Sequence, residues 1–415
     1  MYTITILARI PIMLKTKEMN RRNFIKRSSL ATGGLFFVPQ FVKAFEQNTA
    51  KIFNPKKVVI VQLKGGNDGL NTIIPFRNDI YYQKRKDIGI QSNGILKLTD
   101  DIGMHKNLGA LKKLYDNGYL SILNNVGYPN PNRSHFRSTD IWQTASNSNE
   151  YLQTGWIGRF LDSTKSQPYN AIEVDESLSL MLKGKQQNGL AVTNPKLLYQ
   201  SLKQPFFNDV LSFYKDEHLS EHNLGYLYNT MIDAKSSAAY IYEKSNTNTA
   251  ANSYPNNVFG KQLKTIAQFI NSGLETQVYY AALSGFDTHA NQNMKQARLL
   301  KIYAESMAHF VSDLETNNKF DDVLILTFSE FGRRVQQNAA KGTDHGTANN
   351  VFVIGKNLKN QNKYMGQPDL GNLDFNGDLQ YEIDFREVYA TVLDRWLGVD
   401  DAQILNKEFS KLHFL

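Results

Sequence analysis

Five runs of apolar residues have the length of buried strands: "KKVVIVQL" (56–63), "YLSILNNV" (119–126), "TQVYYAAL" (276–283), "DDVLILTF" (321–328) and "NVFVIG" (350–355). Between them, apolar positions recur every three or four residues. They do so in "NLGALKKLYDNG" (107–118) and in "NMKQARLLKIYAESMAHFVSDLE" (293–315), which predicts amphipathic helices. Strands without alternation, separated by helices, predict a parallel α/β sheet covered on both faces. Residues 205–258 break this rhythm. They are polar and helix-patterned, then lapse into the loop composition "SNTNTAANSYPNN" (245–257), and read as a helical insertion or cap. "DFREVYATVLDRWLG" (384–398) predicts a closing helix. With 41% hydrophobic residues in a chain of 415, one large core is expected, spanning residues 45–415 as a single domain.

Charge changes this picture only at the start. Residues 1–44 carry a net +7 of the chain's formal +8, which leaves +1 for residues 45–415. A nearly neutral body gives no footprint for nucleic acid. "NRRNFIKR" (20–27) stands before the mildly apolar "SSLATGGLFFVPQFV" (28–42), and "VKA" (42–44) offers small residues ahead of a cut. Arg21 and Arg22 followed by Phe24, Ile25 and Lys26 resemble a twin-arginine export signal, although Asn20 stands where Ser or Thr is usual. Residues 1–44 are therefore read as that signal, with Met19 as the true start. The export machinery is one expected partner, and the periplasm or the exterior is the expected location. The plain alternatives are a general secretory signal or a basic amphipathic helix. The chain has no cysteine, so it has neither disulfides nor the cysteine of a bacterial lipid anchor. No stable membrane insertion is expected after cleavage.

Candidate chemistry sits at the ends of the predicted strands, where parallel sheets gather ligands. Asp68 follows the first strand in "GGNDGLN". Asp287 and His289 follow the third in "SGFDTHANQ", and Ser329 and Glu330 follow the fourth in "TFSEFGRR". Asp344 and His345 precede the fifth in "GTDHGTANN". Carboxylates and imidazoles brought to one edge would make a mixed oxygen and nitrogen site for zinc, manganese or a similar divalent ion. Each segment also has a plain reading. Asp68 between glycines is a turn residue, Asp-Thr-His is a helix cap, and Glu330 pairs with Arg333 or Arg334. In "YPNPNRSHFRSTDIWQTA" (128–145), Ser134 occupies an N-cap position and is either a capping serine or a nucleophile.

Taken in order, "NRRNFIKR", "GGNDGLN", "NRSHF", "GFDTHANQ", "FSEFGRR" and "GTDHGTANN" resemble the bacterial domain-of-unknown-function family numbered 1501. That resemblance places the chain, by fold, with the alkaline-phosphatase and sulfatase superfamily and implies a doubly wound α/β sheet. It also implies that Asp68 is the metal aspartate of the first strand. "DTHAN" then supplies Asp287 and His289 to one ion, with His345 as its late ligand. Two departures stand out: Ser329-Glu330 replaces an Asp-His pair, and the nucleophile position falls on Ser134 or His135.

The reading is an exported metal-dependent hydrolase of phosphate or sulfate esters, acting on a small-molecule or glycan ester. Ser134 attacks, Arg333 or Arg334 steadies the anion, and Asp68, Asp287, His289, Glu330, Asp344 and His345 hold one or two divalent ions. The rival is a non-catalytic envelope protein that uses the same fold to bind a glycan or a protein. A nicotinamide oxidoreductase is excluded, because the full dinucleotide glycine spacing and its acidic partner are missing.

Overall fold

The computed structural model describes residues 55–205, 223–245, 253–359 and 364–415, with only the helical backbone given for 223–230. The twin-arginine segment and part of the 205–258 insertion lie outside the described residues. Strand β1 (Lys57–Lys64) shows why its sequence carries no alternation. Val59, Val61 and Leu63 point into one apolar cluster, while Val58 and Ile60 point into another on the opposite face. The first cluster is completed by helices α1 (Gly109–Asp116), α5 (Val258–Asn271) and α6 (Gln292–Thr316). The second is completed by α2 (His135–Thr144), α3 (Trp156–Thr164) and α7 (Phe385–Thr391). The sheet is thus wound on both faces, as expected.

Nine strands form the main sheet among the described residues. Its longer members are β1, β2 (Leu120–Gly127), β5 (Val278–Ser284), β6 (Val323–Phe328) and β7 (Asn349–Ile354). The short ones are β3 (Ala171–Glu173), β4 (Leu190–Ala191), β8 (Tyr364–Met365) and β9 (Ile383–Asp384). The order is β8-β2-β7-β6-β1-β5-β3-β4, with β9 added beside β2. β1 lies at the centre, parallel to β5 and β6, with Ile60 opposite both Tyr280 and Leu326.

One strand departs from the parallel pattern. β7 runs antiparallel to both β6 and β2. Its first residue therefore stands at the same edge as the last residues of β1, β5 and β6. The segment just before β7, which holds Asp344 and His345, is delivered to the carboxyl edge by strand direction and needs no long return loop. The strands of two or three residues were not legible, since so few positions carry no period. The insertion also differs from a separate cap. In helix α4 (Asn223–Ser245), Ala238 and Ile241 are buried, and Tyr240 packs on Tyr169 with ring centroids 4.4 Å apart.

Glu173 ends β3 in the interior and accepts a hydrogen bond from the Ser179 N–H at 2.6 Å. Burial raises its carboxyl to about 6, against that hydrogen bond and the pull of Lys64. The fold therefore prefers the protonated form. This contribution is fully present below the unfolded value near 4.5 and is lost as pH rises through 6. The stability of the parent relative to Glu173→Gln should fall by about 2 kcal/mol between pH 4 and pH 7, read by urea unfolding. A difference that stays constant over this range would contradict the assignment.

Candidate metal centre

The site begins with a glycine. Gly65, just past β1, has φ of +118°, and a Cβ there would lie 2.4 Å from the Asp287 nitrogen. Only glycine lets the loop after β1 and the loop after β5 approach this closely. Arg333, its side chain fully buried, then ties these loops together. Its guanidinium donates to the carbonyls of Gly65, Gly66 at 2.6 Å, Thr343 at 2.8 Å and Phe286 at 3.2 Å, and to Asp287 Oδ1 at 2.7 Å. Burial alone would raise the Asp287 carboxyl. The Arg333 hydrogen bond and charge, with His289 and His135, bring it down to about 2 instead.

Three imidazoles surround that carboxylate. Asp287 Oδ1 lies 3.0 Å from His289 Nε2, 3.5 Å from His345 Nε2 and 3.6 Å from His135 Nε2. His289 Nε2 and His345 Nε2 are themselves 3.0 Å apart. Each ring is held from behind through Nδ1. His135 meets Glu330 Oε1 at 2.8 Å, His289 meets Asp344 Oδ1 at 3.0 Å, and His345 meets the Arg133 carbonyl at 2.7 Å. Carbonyls and carboxylates accept, so each Nδ1 carries a proton, and a ring in its neutral form then turns an Nε2 lone pair inward. The Glu330 hydrogen bond raises the His135 pKa, while burial lowers that of His345.

With the rings neutral, the inward-facing atoms are all acceptors. His135 Nε2 is buried without a hydrogen-bond partner. Among the described residues, the donor beside them is Arg333, which donates to Asp287 Oδ1 at 2.7 Å and reaches His289 Nε2 at a weak 3.5 Å. Acceptors packed this closely repel unless a cation sits among them. Donors bound to one zinc-like ion at 2.0–2.1 Å would be roughly 3.3 Å apart in a tetrahedron, close to the four separations found here. One donor atom each from His135, Asp287 and His345 lies within 4.8 Å of the other two, and His289, close to Asp287 and His345, is not part of that group. The donor set fits a divalent ion, and imidazole-rich sites suit zinc, iron, nickel or copper better than calcium or magnesium. The cluster is half open to solvent and faces a cleft of about 370 Å³ bordered by Gln62, Lys64, Phe136 and Asp140.

Not every expected residue joins this cluster. Asp68 is fully buried and paired with Arg85 Nη1 at 2.6 Å. Its oxygens also accept from Gln292 and from the Leu70 and Asn71 N–H groups, capping a short helix. Glu330 and Asp344 stand behind the rings, where each orients one histidine. Glu330 also accepts from the Gly65 N–H at 2.8 Å and from Gln62 at 3.2 Å. Ser329 donates to the Leu63 carbonyl and accepts from Asn67 N–H, which pins the loop after β1. Ser134 is exposed at the N-cap of α2 and makes no capping hydrogen bond through its side chain. Arg334 turns away to Asp378 and to the Asn376 carbonyl. His135 was considered in sequence only as a nucleophile position. Its signal was its place in the loop that follows β2, on the same carboxyl edge.

The fold is a wound α/β sheet with a histidine-carboxylate cluster at its carboxyl edge. The chain belongs to the family described as Protein of unknown function (DUF1501), which it matches over residues 55–409. No curated protein matches it. Among solved structures it is similar to the C-terminal periplasmic domain of EcEptC from Escherichia coli in complex with Zn, at 14% identity and TM-score 0.39, covering 86% of this chain and 88% of that one. It is also similar to the lipoteichoic acid synthase LtaP from Listeria monocytogenes, at 10% identity and TM-score 0.39, covering 86% and 76%. A third is the PsFucS1 sulfatase from Pseudoalteromonas sp., at 11% identity and TM-score 0.37, covering 86% and 70%. Identities and scores this low assign neither activity nor substrate.

The Asp68–Arg85 pair can be separated from the cluster by mutation. Asp68→Ala leaves a buried guanidinium uncompensated and should cost roughly 3–5 kcal/mol in denaturant unfolding. Metal content by elemental analysis should stay at the parent value. A stable variant that has lost its metal would instead make Asp68 a ligand.

Proposed function

We propose that the chain is an exported, metal-dependent hydrolase of phosphate or sulfate esters. The observation that supports this most is the convergence of three imidazole Nε2 atoms and Asp287 Oδ1 at the mouth of an open cleft. His135, Asp287, His289 and His345 would hold one ion, with Glu330, Asp344 and the Arg133 carbonyl fixing the rings. A divalent ion in that position supplies Lewis-acid polarisation of an ester oxygen. Ser134, exposed beside His135, is the candidate nucleophile. The cleft beside His135 takes the organic part of the ester, a small molecule or a glycan.

One observation favours the alternative, a non-catalytic envelope protein that binds a glycan or a protein. Arg333 is fully buried and points four of its five N–H donors at four carbonyls and Asp287, with the fifth toward His289 Nε2, so it is poorly placed to steady a substrate anion. His345→Ala tests both readings. The variant should lose bound metal and any esterase activity of the parent, with metal affinity down by at least roughly 10- to 100-fold, while still unfolding cooperatively. Equal, substoichiometric metal in parent and variant would refute the metal centre. Full metal occupancy in the parent without turnover of phosphate or sulfate esters would favour the binding protein.

Export belongs to this reading. No helix among the described residues is long and apolar enough to cross a membrane. Replacing Arg21 and Arg22 by Lys should stop translocation, because the twin-arginine route reads the guanidinium pair and not charge alone. A Lys-Lys variant that reaches the periplasm at parental yield would assign the general pathway. N-terminal sequencing of the exported chain should begin near Phe45.

A further inference from the structure

The segment "LDFNGDL" (373–379) is a tight hairpin closed by a bridge between Leu373 and Leu379. Asp374 Oδ1 accepts from the N–H groups of Asn376 and Asp378, both at 2.9 Å, and Gly377 takes φ of +80° at the turn. This geometry presses Asp378 into the interior, where its side chain is fully buried. One oxygen accepts from Arg133 Nε at 3.0 Å and also from Arg133 Nη2. The other accepts from Arg334 Nε at 3.2 Å. A buried carboxylate between two arginines is fully compensated, and the arginines' planar forks fix their orientation.

Both arginines lead to the histidine cluster through their backbones. The Arg133 carbonyl takes the Nδ1 proton of His345 at 2.7 Å, and His135 lies two residues further along the chain. The Arg334 N–H donates to the Asp344 carbonyl at 3.0 Å, and the Asp344 carboxylate takes the Nδ1 proton of His289 at 3.0 Å. One carboxylate thus stands behind the supports of two rings from opposite sides.

We propose that Asp378 is a positioning residue of the metal centre, setting the Arg133 and Arg334 backbones that aim Nε2 of His345 and His289. The inference rests on the metal-centre reading and adds a support that no strand-end argument would find. Asp378 touches no ligand atom, and its carboxylate acts through these two arginines. Groups that hold a ligating histidine from behind are worth roughly 10- to 100-fold in metal affinity, and a support one step further out belongs near the lower limit.

The test uses the full mature chain, with zinc and cobalt(II) as probes. Asp378→Asn should weaken zinc binding roughly 10-fold in a chelator competition and shift the visible d–d band of the cobalt form. Arg133 and Arg334 are each about one-third exposed, so water can solvate the freed guanidinium groups and the variant should stay folded. Should it fail to fold, Arg133→Lys keeps the charge, loses the fork, and should weaken zinc binding several-fold with the same change in band. A folded variant with parental zinc affinity and an unchanged cobalt band would overturn the positioning role and leave the metal centre standing. A parent that binds neither ion would overturn both.

Discussion

The site depends on one buried guanidinium. Arg333 leaves the end of β6 and reaches the loops after β1 and β5 and the segment preceding β7, all with its own donors. These loops come from distant parts of the chain, and apolar packing beneath them does not set their relative positions to the accuracy a ligand set needs. A planar fork with five donors does. Gly65 is the matching steric condition, since a side chain there would push the Asp287 loop away. The arginine expected to steady a substrate anion therefore serves the protein's own carbonyls.

With the loops held, the electrostatics of the cluster become one-sided. Glu330, Asp344 and the Arg133 carbonyl each take an Nδ1 proton, so three rings offer lone pairs toward a carboxylate that Arg333 keeps ionised. The buried Asp68–Arg85 pair supplies the contrast. There the carboxylate is fully buried with its arginine and meets no imidazole, whereas Asp287 is half exposed and meets Arg333 and three imidazoles. Among the described residues, these side chains converge on one point.

Much of this was legible from strand ends alone. Asp287 and His289 fall at one edge if the unbroken apolar runs are parallel strands, whereas Asp344 and His345, ahead of the fifth run, needed a loop to bring them there. The antiparallel direction of β7 was not legible, since an apolar run carries no direction. Asp68 and Glu330 were placed at the correct edge, but their partners were hidden. Arg85 and Gln292 sit on separate elements and look like ordinary surface residues in sequence, and His135 looks like the start of a helix. Asp378 was the least visible. A "DFNGD" turn is read by composition as a solvated hairpin, and only the folded chain turns its last carboxylate inward.

The central claim is that imidazoles from three loops meet on one ion. X-ray absorption at the K-edge of whichever metal the protein carries when purified from its native host addresses that claim directly. The account predicts stoichiometric metal with nitrogen and oxygen neighbours and the multiple-scattering pattern of at least two imidazole rings. A protein without bound metal, or a spectrum with oxygen neighbours and no imidazole scattering, would contradict it.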